Sequence, residues 1–159
     1  MEFYTIGVYN STEDEFFGKL TTNNIDTFCD IRQRRGVRGA KYSFANNKRL
    51  QKRLNELGIK CNYIPELAPT REIRILQKET DRINGESSKE RHELGKVFMI
   101  EYKNRILTPF DFETFLDKLN QTGANRVVFF CVEEFAQACH RSMMTDKLKE
   151  EYNFQITHL

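Results

Sequence analysis

The chain has 159 residues, of which 39% are hydrophobic and 30% charged, with only 3 prolines and 8 glycines. This length and composition predict one globular domain over residues 1–159 and exclude disordered and collagen-like chains. The net charge of +2 argues against a general DNA-binding protein, and the longest apolar run, Val127 to Val132, is too short to cross a bilayer. The start of the chain lacks a secretion segment and the four cysteines form no CxxC pair, so we expect a cytoplasmic protein with free thiols.

Strand and helix patterns alternate through the first half of the chain. Residues 3–9 are rich in aromatic and β-branched side chains and predict a strand. Thr12 and Glu15 have the spacing of a capping box and predict the start of a helix. A second strand is predicted over residues 25–31. Three leucines at i, i+4 and i+7 then predict a helix before a third strand over residues 59–64.

The second half begins with residues 69–105, which give no clear pattern. Thr108 before Pro109 predicts a helix start, because proline suits the first helical position and a hydroxyl caps it. The apolar run over residues 126–132 predicts a central strand buried on both faces. A helix over residues 135–151 and a short last strand follow. This alternation predicts an α/β fold whose mainly parallel five-stranded sheet carries helices on both faces.

Ionisable residues follow two of these strands at their carboxyl ends, where open α/β sheets bind ligands. Asp30 follows the second strand, and Cys131 and Glu133 follow the fourth. A carboxylate in that position needs a cation or amide donors to offset its desolvation. We therefore expect Asp30 or Glu133 to act as an acid or base, and His140 to be a second acid or base. Cys131 is expected to act as a nucleophile if a neighbouring cation lowers the pKa of its thiol. The alternatives are that Asp30 only fixes a loop and that Cys131 fills the core.

Basic residues are concentrated between residues 32 and 53, where nine Lys or Arg occur without an Asp or Glu. Such a stretch favours anions, so we expect a phosphorylated or nucleotide-like small molecule as the partner. The residues predicted to bind it are Asn10, Arg32, Arg38, Arg141 and Ser142. Alternatively, the basic stretch forms a non-catalytic nucleic-acid or nucleotide-signal module, in which Tyr42 and Phe44 stack bases.

Cys139, His140 and Arg141 are consecutive, and adjacent helical residues point about 100° apart. On a helix that starts at residue 135, Cys139 is then a core thiol and His140 or Arg141 faces the crevice or solvent. If the helix instead begins near Cys139, its free amides form an anion site with His140 and Arg141. A zinc site from Cys131, Cys139 and His140, with a distant Cys29, has suitable ligand types but lacks the usual short pairings, so we expect no metal. The sequence names no cofactor and leaves open whether the protein is an enzyme.

Two motifs are distinctive: the pattern C-x-E-x5-C-H-R that begins at Cys131 and the pattern D-x-R that begins at Asp30. They resemble motifs of the domain of unknown function 488 family, which occurs in bacteria and archaea. The resemblance runs nearly end to end. It implies an α/β fold and a shared pocket, but no reaction.

Overall fold

The computed structural model describes residues 1–159 and contains one five-stranded sheet in which every strand pair is parallel. The strand order across the sheet is β3-β2-β4-β1-β5. The strands are β1 (Glu2–Ile6), β2 (Thr27–Asp30), β3 (Lys60–Tyr63), β4 (Arg126–Phe130) and β5 (Ile156–His158). The predicted parallel sheet is therefore confirmed, with β4 at its centre.

Six α-helices connect and follow these strands, which confirms the predicted α/β architecture. They are α1 (Glu13–Thr22), α2 (Asn47–Glu56), α3 (Arg71–Asn84), α4 (Lys96–Tyr102), α5 (Phe112–Gln121) and α6 (His140–Tyr152). None of them combines the length and the apolar character that crossing a bilayer requires.

The sheet separates two hydrophobic cores, one on each face. Along β4, Val127 and Phe129 pack into the core shared with α3 to α6, whereas Val128 and Phe130 pack into the core shared with α1 and α2. Successive side chains of a strand point to opposite faces, so a strand covered on both sides needs apolar residues at every position. This explains the continuous apolar run in the sequence.

The helix starts show where local sequence signals hold and where they fail. The capping box before α1 is present, since the Thr12 side chain accepts a hydrogen bond from the Glu15 amide and the Glu15 carboxylate accepts one from the Thr12 amide. The predicted start at Thr108 and Pro109 is wrong. The Thr108 hydroxyl instead donates to the carbonyl of Lys103, and α5 begins later, where the Asp111 side chain accepts from the Thr114 amide at 3.0 Å.

The helix predicted over residues 135–151 also begins later, at His140. Residues Ala136–Ala138 form a separate 3₁₀ turn, and Cys139 has extended backbone angles, φ −137° and ψ 146°. The alternative start near Cys139 is therefore the correct one. It places the first turn of α6 at the carboxyl edge of the sheet, beside the end of β4.

Candidate functional site

Four polar side chains meet directly beyond the carboxyl end of β4. The Sγ atom of Cys131 lies 3.3 Å from Glu133 Oε2 and 3.9 Å from His140 Nδ1. The Sγ atom of Cys139 lies 3.6 Å from the same Nδ1. The two sulfur atoms and the His140 nitrogen lie within 4.8 Å of one another, and all three residues are buried. We call Cys131, Glu133, Cys139 and His140 the thiol cluster.

The His140 ring is held in one orientation by groups outside the cluster. Its Nε2 lies 3.2 Å from the carbonyl oxygen of Ile31, in the loop after β2. A carbonyl oxygen only accepts hydrogen bonds, so Nε2 carries the proton and donates it. The Tyr102 ring packs edge-on against the imidazole, with 5.4 Å between ring centroids. As a result, Nδ1 faces the two sulfur atoms.

Cys139 and His140 both reach the cluster because only one of them is helical. Cys139 precedes the first turn of α6 and has extended backbone angles. The 100° rotation between adjacent residues applies only within a helix. The sequence-based argument that these two side chains point apart therefore fails at the helix boundary.

Arg91 is a buried part of the site that sequence reasoning missed. Its Nη2 lies 3.2 Å from Glu133 Oε1, and its Nη1 lies 2.8 Å from Asp81 Oδ2. Its Nε and Nη2 also donate to the carbonyl of Ala138. Arg91 thus ties Glu133 to the 3₁₀ turn before Cys139. It comes from the stretch that showed no clear pattern, and nothing in the sequence relates it to Glu133.

The charges within the thiol cluster shift the pKa values of its members in different directions. Burial raises the pKa of Glu133 to about 7, an effect reinforced by the charge of Cys139 and opposed by Arg91 and His140. Burial also opposes ionisation of Cys139, but the hydrogen bond from Cys131 and the His140 charge hold its pKa below the ordinary value. The hydrogen bond to Cys139 and burial raise the pKa of Cys131. Cys131 therefore favours the thiol form, which disfavours the nucleophilic role we predicted for it.

Asp30 and Arg32 form a separate, closed group on the neighbouring strand. Both Asp30 oxygens accept hydrogen bonds from the Arg32 guanidinium, at 2.8 and 2.9 Å, and Arg35 Nε lies 3.0 Å away. Arg32 also donates to the carbonyl of Ala45 and stacks over the Phe130 ring. Asp30 is fully buried. These contacts favour the alternative that Asp30 and Arg32 pair to fix the loop after β2, and the catalytic and ligand-binding roles predicted for them stay predictions.

Arg141 also makes internal contacts, although its buried Nε has no hydrogen-bond partner, and the anion-binding role predicted for it stays a prediction. Arg141 is 1% exposed, and its Nη1 and Nη2 donate to the carbonyls of Glu133 and Glu134 at 2.5 and 2.7 Å. Gly7 lies against the same loop, because a Cβ at Gly7 would stand 2.0 Å from the Glu133 carbonyl oxygen and 3.2 Å from Arg141 Nη1. Arg141 and Gly7 together position the segment that carries Glu133.

Gly7→Ala should therefore lower the free energy of unfolding by about 2–3 kcal/mol, since the added methyl group must displace backbone at Glu133. Urea denaturation followed by circular dichroism measures the change. Gly18→Ala in α1 is the matched control, because nothing lies within 4 Å of a Cβ there. Equal stability of the two variants would contradict the close approach.

The remaining predicted binding residues form no hydrogen bond with a side chain of the thiol cluster. Ser142 Oγ donates to the carbonyl of Cys139 at 3.0 Å, so it completes the first turn of α6. Asn10 Nδ2 donates to Glu134 Oε2, and Asn10 lines a cavity of about 320 Å³ whose wall includes His158 but no member of the thiol cluster. Arg38 is exposed and contacts no carboxylate. The structure does not bring these three side chains together.

Three arginines without carboxylate partners lie at the same edge, next to the loop after β2. Arg34 follows β2, and Arg71 and Arg74 are in the first turn of α3. None of the three makes an ion pair within 4.0 Å. Arg74 Nη2 donates to Gln33 Oε1, but its Nε is buried without a hydrogen-bond partner. Burial, together with the charges of Arg34 and Arg71, lowers the pKa of Arg74. We call Arg34, Arg71 and Arg74 the arginine cluster.

The two aromatic residues that the nucleic-acid alternative requires for base stacking are buried. Tyr42 and Phe44 are 6% and 3% exposed and belong to the core beside α1 and α2. Side chains so deeply packed cannot stack on bases. The basic stretch is also partly neutralised, since Arg49 pairs with Glu13 and Arg53 pairs with Glu56.

Comparison with known proteins gives one match. The model of a protein family described as a domain of unknown function, DUF488, matches residues 12–148, which include every strand except the two at the ends of the chain. No curated protein and no solved structure matches the sequence.

Proposed function

The chain belongs to the DUF488 family, and we propose from its own site that it binds a phosphorylated small molecule at the arginine cluster and presents it to the thiol cluster. The observation that supports this most directly is that Arg34, Arg71 and Arg74 interact with one another but form no ion pair with a carboxylate. Like charges held together repel one another, and a buried N–H without an acceptor costs about 1–3 kcal/mol. A bound phosphate relieves both costs, because it supplies negative charge and several acceptor oxygens.

The arginine cluster and the thiol cluster are joined by a short piece of backbone. The carbonyl of Ile31 accepts from His140, and two residues later the side chain of Gln33 accepts from Arg74. A phosphate held there brings the rest of its molecule next to the thiol cluster.

Glu133 is the group in the thiol cluster that we assign to acid or base chemistry on this ligand. Its side chain is 15% exposed, whereas Cys139 and His140 are almost completely buried. Arg91 holds one carboxylate oxygen and leaves the other beside Cys131. A general acid or base must reach the reacting atom, and Glu133 has the best access.

Adenosine 5′-monophosphate and adenosine provide a matched pair of probes, since they differ only in the phosphate. We expect the monophosphate to raise the melting temperature and to bind measurably in calorimetry, and adenosine to do neither. Arg74→Gln should weaken binding at least tenfold, or about 1.4 kcal/mol, because it removes one charged donor. Arg82→Gln, at the other end of α3 and paired with Glu79, should bind as the unaltered protein does.

Two results would contradict this proposal. One is that Arg74→Gln and Arg82→Gln bind phosphate compounds equally well. The other is that a single-stranded oligonucleotide binds more tightly than any phosphorylated small molecule, with an affinity that falls steeply as salt is added, which is typical of nucleic-acid binding.

A further inference from the structure

We infer that Cys131, Cys139 and His140 bind a zinc ion through their two sulfur atoms and Nδ1. This metal site goes beyond the binding of a phosphorylated molecule and does not depend on the arginine cluster. It also revises the expectation from sequence that the protein holds no metal.

The first argument is the spacing of the three ligand atoms. Zinc binds sulfur at about 2.3 Å and imidazole nitrogen at about 2.0–2.1 Å in tetrahedral sites, so a sulfur and a nitrogen ligand lie about 3.5 Å apart. The corresponding distances here are 3.6 Å for Cys139 and 3.9 Å for Cys131, each to His140 Nδ1. The cluster thus has nearly the dimensions of a zinc site.

The second argument is the tautomer of His140. Zinc-binding histidines usually donate their other ring N–H to a carbonyl or carboxylate, which fixes the ring and leaves a lone pair for the metal. The Ile31 carbonyl performs this role, 3.2 Å from Nε2. Nδ1, which faces the two sulfur atoms, is then the nitrogen that binds the metal, after it gives up its own proton.

The third argument is the group at the fourth position. Glu133 Oε2 lies 3.3 Å from Cys131 Sγ, so the carboxylate stands beside the fourth position of the ion and keeps the acid or base role assigned to it. The other Glu133 oxygen is held by Arg91, which is itself bonded to Asp81. Metal sites are often supported by such outer hydrogen-bond partners. Because Glu133 is the most exposed member of the cluster, the fourth position is also the one that water or a ligand can reach.

A disulfide and simple core packing each account for less of the cluster's geometry than a metal ion does. A disulfide between Cys131 and Cys139 accounts for the nearby thiols but not for the orientation of His140, and the four cysteines are free in this structure. Core packing accounts for burial, but it does not require an imidazole aimed at two sulfur atoms. Thiolate and imidazole ligands in a tetrahedral arrangement favour zinc over magnesium or calcium, which prefer oxygen.

Cobalt provides a spectroscopic test on the full chain, because Co²⁺ enters tetrahedral zinc sites and absorbs strongly when thiolates bind it. The protein is reduced, stripped with a chelator and titrated with Co²⁺, with no phosphate compound present. We expect a sulfur-to-cobalt charge-transfer band that saturates at one ion per chain and is abolished by Zn²⁺. Cys131→Ser and Cys139→Ser should each weaken zinc binding at least 100-fold in competition with a chromogenic chelator. Cys61→Ser, on the edge strand β3, is the matched control and should change nothing.

A second measurement uses the unaltered protein, in case the serine variants do not fold. Zinc should protect Cys131 and Cys139 from alkylation by a maleimide, as read by peptide mass spectrometry, and should leave the reactivity of Cys61 unchanged. The inference is overturned if stoichiometric cobalt produces no charge-transfer band, if zinc gives no protection, or if a Cys131–Cys139 disulfide forms in place of metal binding. Arg74→Gln should bind zinc normally, so failure of the phosphate proposal and failure of the metal site are distinguishable.

Discussion

Asp30→Ala should lower the free energy of unfolding by about 3–5 kcal/mol, because removing one partner of a buried ion pair leaves the other charge without compensation. Asp30 is fully buried and accepts hydrogen bonds from both Arg32 and Arg35. Arg32 is 3% exposed, so the variant leaves its charge inside the protein without a partner. The loop after β2 would then lose the contact that holds it against the sheet.

Urea denaturation with matched variants measures this effect. Asp117→Ala is the control, because Asp117 lies on the exposed face of α5 and exposed substitutions change stability by only about 0.5 kcal/mol. Asp30→Asn should give an intermediate loss, since the amide keeps one acceptor oxygen but not the charge. A loss for Asp30→Ala no larger than that for Asp117→Ala would show that the buried ion pair contributes nothing.

Arg141→Met should also destabilise the fold, by about 3 kcal/mol. The variant keeps a side chain of similar length but removes the hydrogen bonds from the guanidinium to the carbonyls of Glu133 and Glu134, and a hydrogen bond to a charged group contributes about 1.5–3 kcal/mol. From sequence, we expected Arg141 to bind an anion. Its contacts with the two carbonyls predict a structural role as well.

The control for Arg141→Met is Arg105→Met, in which the lost side chain is exposed and pairs with Glu101 at 3.7 Å. An exposed ion pair of this kind contributes at most about 1 kcal/mol. Arg141→Lys should recover part of the stability, because one ammonium group can donate to one of the two carbonyls. If Arg141→Met unfolds at the same urea concentration as the unaltered protein, the assignment of Arg141 to the loop is wrong.

The parts of the fold that follow from short-range patterns were predictable. The run from Val127 to Phe130 predicted a strand buried on both faces, and β4 is the central strand. Thr12 and Glu15 predicted the start of α1, and they form the capping box. These signals depend only on residues that are close together in the sequence, so the sequence alone is enough to predict them. At Thr108 the local signal was misleading, because its hydroxyl bonds backwards to the preceding turn.

The candidate site was predictable only in part, because its contacts join distant segments. Cys131 and Glu133 were identified from their place after a strand and His140 as a second acid or base, and these three side chains do meet. The pairing of Glu133 with Arg91 spans 42 positions, and no local rule connects them. Cys139 was assigned to the core only for a helix that starts at residue 135, and the observed helix starts at His140, as in the alternative. A shift of a few residues in the helix start changed the direction of its side chain.

The alternation of side chains in β4 has a consequence for how this protein tolerates change in length. Neighbouring residues of β4 pack into different hydrophobic cores, on opposite faces of the sheet. The removal of a single residue would therefore point each remaining side chain at the wrong core. The same deletion would rotate Cys131 away from His140. We therefore expect insertions and deletions to be tolerated only in the connecting loops. The number of residues between Arg126 and Cys131 is set by the packing of β4 between the two hydrophobic cores, and not by the chemistry of the site.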